Sequence, residues 1–137
     1  MDWPADTWKG ESFMPRILIL EDYPPLRRVQ AVTLQRAGWS VVSAMSAQET
    51  IRAIERNGFD VLLLDMDIAT GESWTVLQAL HASCDSYPVV ALLDPDNRRQ
   101  PELVALGAKV ILYKPVGRET LLMGIDMALQ DTDIRIF

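Results

Sequence analysis

The stretch Phe59-Asp60-Val61-Leu62-Leu63-Leu64-Asp65-Met66-Asp67 constrains this chain more than any other. Its consecutive apolar residues, Val61 to Leu64, offer water no polar side. That suits a strand covered on both faces, and the run is far too short to span a membrane. Such strands belong to parallel sheets with helices on either side, where ligands collect at the carboxyl ends of the strands. This strand delivers Asp65 to that end. An isolated Asp there more often caps the next helix than does chemistry, so its meaning depends on the rest of the chain.

Arg16-Ile17-Leu18-Ile19-Leu20 is a second buried-strand run, and it too ends in acids, Glu21-Asp22. Pro24 and Pro25 suit the first turn of a helix, where missing amide hydrogens cost nothing. Leu26, Val29, Val32 or Thr33, and Ala37 recur at helical spacing up to Gly38, predicting helix one over about residues 24 to 37. Trp39 to Ser43 reads as strand two. Ser46-Ala47-Gln48-Glu49 has the capping-box pattern that opens helix two, with Ile51, Ala53 and Ile54 toward the core and Asn57-Gly58 as the stop. After the opening stretch, which is strand three, Ala69 to Ser73 form a loop. Trp74, Leu77 and Leu80 or His81 then mark helix three. Val89 to Leu93 is strand four, and a polar loop from Asp94 to Gln100 precedes Pro101 at the start of a short helix four closed by Gly107. Lys109 to Tyr113 is strand five, broken by Lys114-Pro115. Arg118 to Gln130 forms helix five with a stripe of Leu121, Leu122, Ile125 and Leu129.

Five strands alternating with five helices imply right-handed crossovers and a doubly wound α/β fold, a parallel sheet in a three-layer sandwich. The 137 residues suffice for one domain and not two. Residues 1–14, with Trp3 and Trp8 among polar residues, read as a mostly irregular extension, and Met14 is an alternative start. The domain proper then covers 15–130. Residues 131–137 form a short tail, which leaves no room for an attached output domain.

Charge and composition exclude several function classes. A net charge of −6 repels DNA and anionic lipid, so neither direct DNA binding nor membrane attachment is expected. One cysteine, Cys84, cannot form an intrachain disulfide, and the lone His81 has no metal-type partners in the sequence. The first residues, acidic at Asp2, Asp6 and Glu11, lack the basic start of a signal peptide, which points to the cytoplasm.

Under the strand order 2-1-3-4-5, Glu21, Asp22 and Asp65 converge at the crevice between strands one and three, and Lys114 arrives from strand five. Carboxylates that close repel, and a cation resolves the repulsion. Mg²⁺, a hard ion that prefers oxygen, is the natural candidate, and Lys114 is suited to a phosphoryl oxygen.

This constellation resembles the receiver domain of two-component response regulators, over about residues 15 to 130. The match is carried by Glu21-Asp22 after Ile17-Leu18-Ile19-Leu20, by Asp65 closing the run from Asp60, and by Lys114-Pro115 preceded by Gly107-Ala108. The resemblance implies a flavodoxin-like (βα)5 sheet and an Asp65 that accepts a phosphoryl group from a histidine kinase or histidine phosphotransfer protein. It also implies Mg²⁺ held by Asp22, Asp65 and the main-chain carbonyl of Asp67, with Glu21 acting mainly through water, and Lys114 paired with Asp65 and then with the phosphate. Such a protein catalyses only its own phosphotransfer and dephosphorylation and signals to a downstream protein. A homodimer through helix four, strand five and helix five is an alternative use of that surface.

The sequence departs from the family at the switch positions. Leu93 stands where the family has Thr or Ser, and Ile111 where it has an aromatic residue, while Tyr113, beside Lys114, points to the opposite face. Ala69, Ser73 and Val116 replace a customary proline, glycine and phenylalanine. A pseudo-receiver, a binding module that works without phosphorylation, is therefore the competing expectation. A flavin- or small-molecule-binding fold is disfavoured because strand one ends in acids without a glycine-rich phosphate loop.

Overall fold

The computed structural model describes residues 14–56, 58–83, 87–130 and 134–137. The extension up to residue 13, the Asn57 half of the helix-two stop, Cys84 and the first residues of the tail lie outside them. The elements are β1 (Arg16–Leu20), α1 (Pro24–Arg36), β2 (Ser40–Ala44), α2 (Ala47–Arg56), β3 (Val61–Asp65), α3 (Glu72–Ala82), β4 (Val89–Leu93), α4 (Gln100–Ala105), β5 (Val110–Tyr113), α5 (Arg118–Leu129) and β6 (Arg135–Ile136). All strand pairs are parallel, in the order β2-β1-β3-β4-β5-β6. The expected doubly wound sandwich is present, with one strand more than the five the pattern predicts.

The central strands form because their apolar side chains have helices to meet on both faces. Every residue of β3 and of β4 is buried. Alternation sends Leu18, Leu20, Leu62, Leu64, Ala91, Leu93 and Ile111 to one face, where they pack with Ile54 of α2, Trp74 and Leu77 of α3, and Leu103 of α4. Ile17, Ile19, Val61, Leu63, Val90, Leu92 and Leu112 go to the other face, against Leu34 of α1 and Leu121, Ile125 and Ala128 of α5. Full burial of each such side chain contributes roughly 1.5–3 kcal/mol, so the two layers together fix the sheet's position under its helices.

Local signals explain several boundaries. The Glu49 amide donates to Ser46 Oγ at 3.1 Å, the expected cap of α2. Glu72 adds an unexpected one, its Oε1 accepting the Ala47 amide at 2.9 Å. Gly107 follows α4 with φ +97, a left-handed conformation in which Gly carries no Cβ penalty.

The residues whose spacing predicts α1 mark the helix but are not its buried face: Leu26, Val29 and Val32 are exposed, and Gln30 and Leu34 are buried. Leu26, Val29 and Thr33 line a groove of about 390 Å³ shared with Leu92 of β4, with Val116 and with Leu121 of α5. Glu72 and Ser73 belong to the first turn of α3 and not to a loop, because Gly71, at φ +75, turns the chain directly into the helix. The tail contains β6, which adds to the open edge of β5 through Arg135 N–H to the Lys109 carbonyl (3.0 Å), Phe137 N–H to the Ile111 carbonyl (2.8 Å) and Tyr113 N–H to the Phe137 carbonyl (3.1 Å).

Candidate functional site

Strands β1, β3 and β5 end on the same side of the sheet, and the side chains just past those ends meet. Glu21 is buried and Asp22 exposed after β1, and Asp65 is 6% exposed at the end of β3. Carboxylate oxygens of Glu21, Asp22 and Asp65 lie within 4.8 Å of one another. Lys114 Nζ donates to Asp65 Oδ1 at 2.6 Å and sits 3.0 Å from Asp67 Oδ2. All the acids and the lysine that the sequence singles out are thus brought together.

Backbone and neighbouring side chains hold Asp65 in place. Its Oδ1 also accepts the Asp67 amide at 3.0 Å, so two donors address one carboxylate oxygen. Its main-chain carbonyl accepts the Ser73 hydroxyl at 2.5 Å, and Trp74 Nε1 donates to the next carbonyl, that of Met66, at 3.0 Å. The first turn of α3 therefore clamps the turn that follows β3. The polar atoms of this buried turn are matched, as burial demands.

The electrostatics follow from crowding. Burial, reinforced by a hydrogen bond to Asp65 and by the Asp65 charge, raises the Glu21 carboxyl to about 7, against smaller opposing effects from the Tyr23 amide and Lys114. Gln30 Nε2 reaches Glu21 Oε1 at a long 3.4 Å, and Gln30 Oε1 is buried with no hydrogen-bond partner among the described residues. For Asp67, burial works toward the neutral form, but hydrogen bonds from Asn97, Lys114 and the Asp94 amide, with the Lys114 charge, hold it below the usual carboxylate range. Lys114 is partly buried, which disfavours its charge, yet Asp65 and Asp67 raise it above the ordinary lysine value.

Several participants are invisible in the residue pattern. Asp67 was expected to act through its main-chain carbonyl, but its carboxylate is also engaged. Oδ2 accepts the Asp94 amide at 2.6 Å and Oδ1 accepts Asn97 Nδ2 at 2.9 Å. The guanidinium of Arg99 lies 3.5 Å from the centre of the Trp74 ring, and Tyr113 Oη donates to Gln100 Oε1. The only hint in the sequence was the polar character of residues 94–100 at a strand end. Leu93 and Ile111 are both 0% exposed and pack in the same core layer, and Tyr113, two residues along β5 from Ile111, packs against that layer too and not on the opposite face expected for it. His81 is exposed on α3, and no metal-type partner joins it among the described residues.

Comparison with known proteins places these observations. The family pattern of the response regulator receiver domain matches residues 17–126. The chain is 24% identical over 111 residues to the CAI-1 autoinducer sensor kinase/phosphatase CqsS of Vibrio cholerae, covering 78% of this chain and 16% of that protein. It is 27% identical over 119 residues to the transcriptional regulatory protein GlrR of Escherichia coli, covering 85% of this chain and 26% of that protein. The chain therefore spans between about a sixth and a quarter of the length of these relatives. Among solved structures, the chemotaxis protein CheY4 of Vibrio cholerae superposes with a TM-score of 0.77 at 26% identity, over 85% of this chain and all of that one.

Proposed function

The chain belongs to the response regulator receiver domain family, and from that premise we propose that Asp65 accepts a phosphoryl group from a phosphohistidine on a histidine kinase or histidine phosphotransfer protein. The observation that carries this reading is Lys114 Nζ 2.6 Å from Asp65 Oδ1, beside the Glu21–Asp22–Asp65 acid cluster. Phosphoryl transfer asks a protein for an in-line nucleophile and for positive charge near the equatorial oxygens, and little else. A carboxylate oxygen of Asp65 attacks the phosphorus; the new P–O bond forms as the P–N bond of the donor breaks, and the leaving imidazole takes up a proton from solvent. Lys114 stays within reach of the phosphoryl oxygens. The amide of Asp67 and the Ser73 clamp on the Asp65 carbonyl keep the acceptor from turning away.

The residues fit Mg²⁺. The donors are all hard oxygens, and their spacing suits a single small cation. Asp22, Asp65 and the main-chain carbonyl of Asp67 would hold the ion, with Glu21 through water. Bound there, Mg²⁺ supplies the positive charge that draws in the donor phosphate and neutralises charge on the phosphoryl oxygens.

The proposed output is a protein–protein contact. Among the described residues, no helix is long and apolar enough to cross a membrane. A self-associating surface on α4, β5 and α5 would include β6, which lies on the β5 edge. A second reading, a pseudo-receiver that binds partners without phosphorylation, is favoured by one observation: Leu93 and Ile111 are fully buried core residues, and Leu93 has no hydroxyl to meet a phosphoryl oxygen.

Intact mass separates the readings. After treatment with acetyl phosphate, or with a phosphorylated histidine phosphotransfer protein, and Mg²⁺, the wild type should gain one phosphoryl group and Asp65→Asn none. A gain that survives in Asp65→Asn removes Asp65 as acceptor. No gain from either donor leaves the pseudo-receiver.

A further inference from the structure

In receivers that carry it, the hydroxyl at the end of the fourth strand joins the phosphoryl group to the β4–α4 loop; Leu93 cannot do so. The geometry here offers another connection. The Asp67 carboxylate touches Lys114 at 3.0 Å, the Asp94 amide at 2.6 Å and the Asn97 side chain at 2.9 Å. One side chain therefore ties the lysine of the site to the loop between β4 and α4. That loop is a stiff turn. Asn97 N–H donates to the Asp94 carbonyl at 2.9 Å, Asp96 N–H to Asp94 Oδ1 at 2.9 Å, and Arg99 N–H to Asn97 Oδ1 at 3.0 Å. It leads straight into α4, which opens at Gln100, so a force on Asp94 and Asn97 is carried to that helix.

We propose that Asp67 is a positioning residue that couples the phosphorylation state of Asp65 to the β4–α4 loop, in place of the absent hydroxyl at Leu93. The inference rests on Asp65 being the acceptor. In the unphosphorylated protein Lys114 is shared, 2.6 Å from Asp65 Oδ1 and 3.0 Å from Asp67 Oδ2. A phosphoryl group on Asp65 puts close to two negative charges where there was one. Lys114 moves toward them, and the Asp67 carboxylate, still charged, loses its cation and faces a dianion. Repulsion turns it out of the site, its hold on the Asp94 amide and on Asn97 weakens, and the loop is released. The same charge state of Asp67 thus holds the loop in one form of the protein and lets it go in the other.

Amide hydrogen exchange on the full chain tests this, with Mg²⁺ present throughout and with or without beryllofluoride as a stable phosphoryl analogue on Asp65. Loading of each sample is verified independently by fluorine NMR. In the wild type, protection of the Asp94 amide should fall about tenfold on loading. Asp67→Asn keeps an acceptor for the Asp94 amide but loses the charge, so its unloaded protection should stay near wild type while its response to loading disappears. Asp67→Ala should start unprotected and stay so. A loaded wild type with unchanged Asp94 protection overturns the coupling, and so does an Asp67→Asn variant that responds as strongly as wild type, since a purely structural clamp would behave that way. A wild type that neither loads with beryllofluoride nor gains mass from a phosphodonor removes the Asp65 reading itself, and this inference with it.

Discussion

Leu93 is the residue at which this site pays most visibly for being unlike its relatives. Its side chain is 0% exposed and packs with Ile111 and Leu64 in one core layer, so it is a structural member of the sheet as well as a missing donor. Restoring the family's residue with Leu93→Thr removes buried methyl groups and puts a hydroxyl among apolar neighbours. We expect a loss of about 2–4 kcal/mol in urea unfolding, and a variant as stable as wild type would show that the pocket already has room for a hydroxyl. At this scale the sequence was informative where chemistry dictates residue type. Glu21, Asp22, Asp65 and Lys114 stand out because acids and a lysine at the ends of apolar strands need a reason to be there. The carboxylate of Asp67 did not stand out, because its partners, Asp94 and Asn97, come from a loop whose path only the folded sheet defines. Ser73 was hidden in a different way: it read as loop, and its bond to the Asp65 carbonyl exists only because Gly71 starts α3 early.

Secondary-structure elements were legible in proportion to how completely they are buried. β1, β3 and β4 have apolar runs with no competing reading, and their bounds match closely what the sequence predicts. α1 was legible as a helix, but its buried face was not: its aliphatic residues line a groove, while Gln30, turned toward Glu21, is buried. β6 had no signal of its own. Two residues, one of them Arg135, make no pattern, and the strand exists because the edge of β5 presents amide and carbonyl groups to pair. α5 makes a sharper point about fit. Gly124 is an unfavourable residue in a helix, yet a Cβ there would come within 2.8 Å of Leu112 Cδ1 and 3.1 Å of Cδ2. Leu112 is itself fully buried, so it has little space to move into. Gly124→Ala should therefore destabilise the protein by about 1–3 kcal/mol in chemical denaturation, despite the helix propensity gain of up to about 1 kcal/mol. A stabilised variant would mean that Leu112 can change rotamer without loss.

For the molecule as a whole, the acid cluster makes stability depend on pH and on divalent cations together. With cations removed by EDTA, folded Glu21 holds its proton up to about 7, against an ordinary value of 4.5. Between those values the native state binds more protons than the unfolded chain, so stability falls as pH rises, and above about 7 the fall is complete. Asp67 works in the opposite sense, but only as pH drops toward and below its ordinary 3.8. Melting in EDTA should thus occur at higher temperature at pH 5 than at pH 8, and Glu21→Gln should flatten that difference. At pH 8, millimolar Mg²⁺ should raise the melting temperature of the wild type through preferential binding to the native state. The same shift in Asp22→Ala would mean that the ion binds elsewhere. The doubly wound architecture was predictable from the alternation of strand and helix patterns, because only helices on both faces can cover strands so uniformly apolar.

The parallel course of β6 has a practical side. The chain enters the sheet with β1 at Arg16, at the amino ends of the strands, and its last residue lies at the other pole, where the Phe137 carbonyl accepts the amide of Tyr113, the neighbour of Lys114. A dye, affinity tag or fusion partner joined after Phe137 therefore starts out at the carboxyl pole of the sheet, the pole that carries the acid cluster, three strands along from β3. From that pole it can report by fluorescence on a protein approaching the proposed acceptor, whereas a label carried near Arg16 starts at the opposite pole.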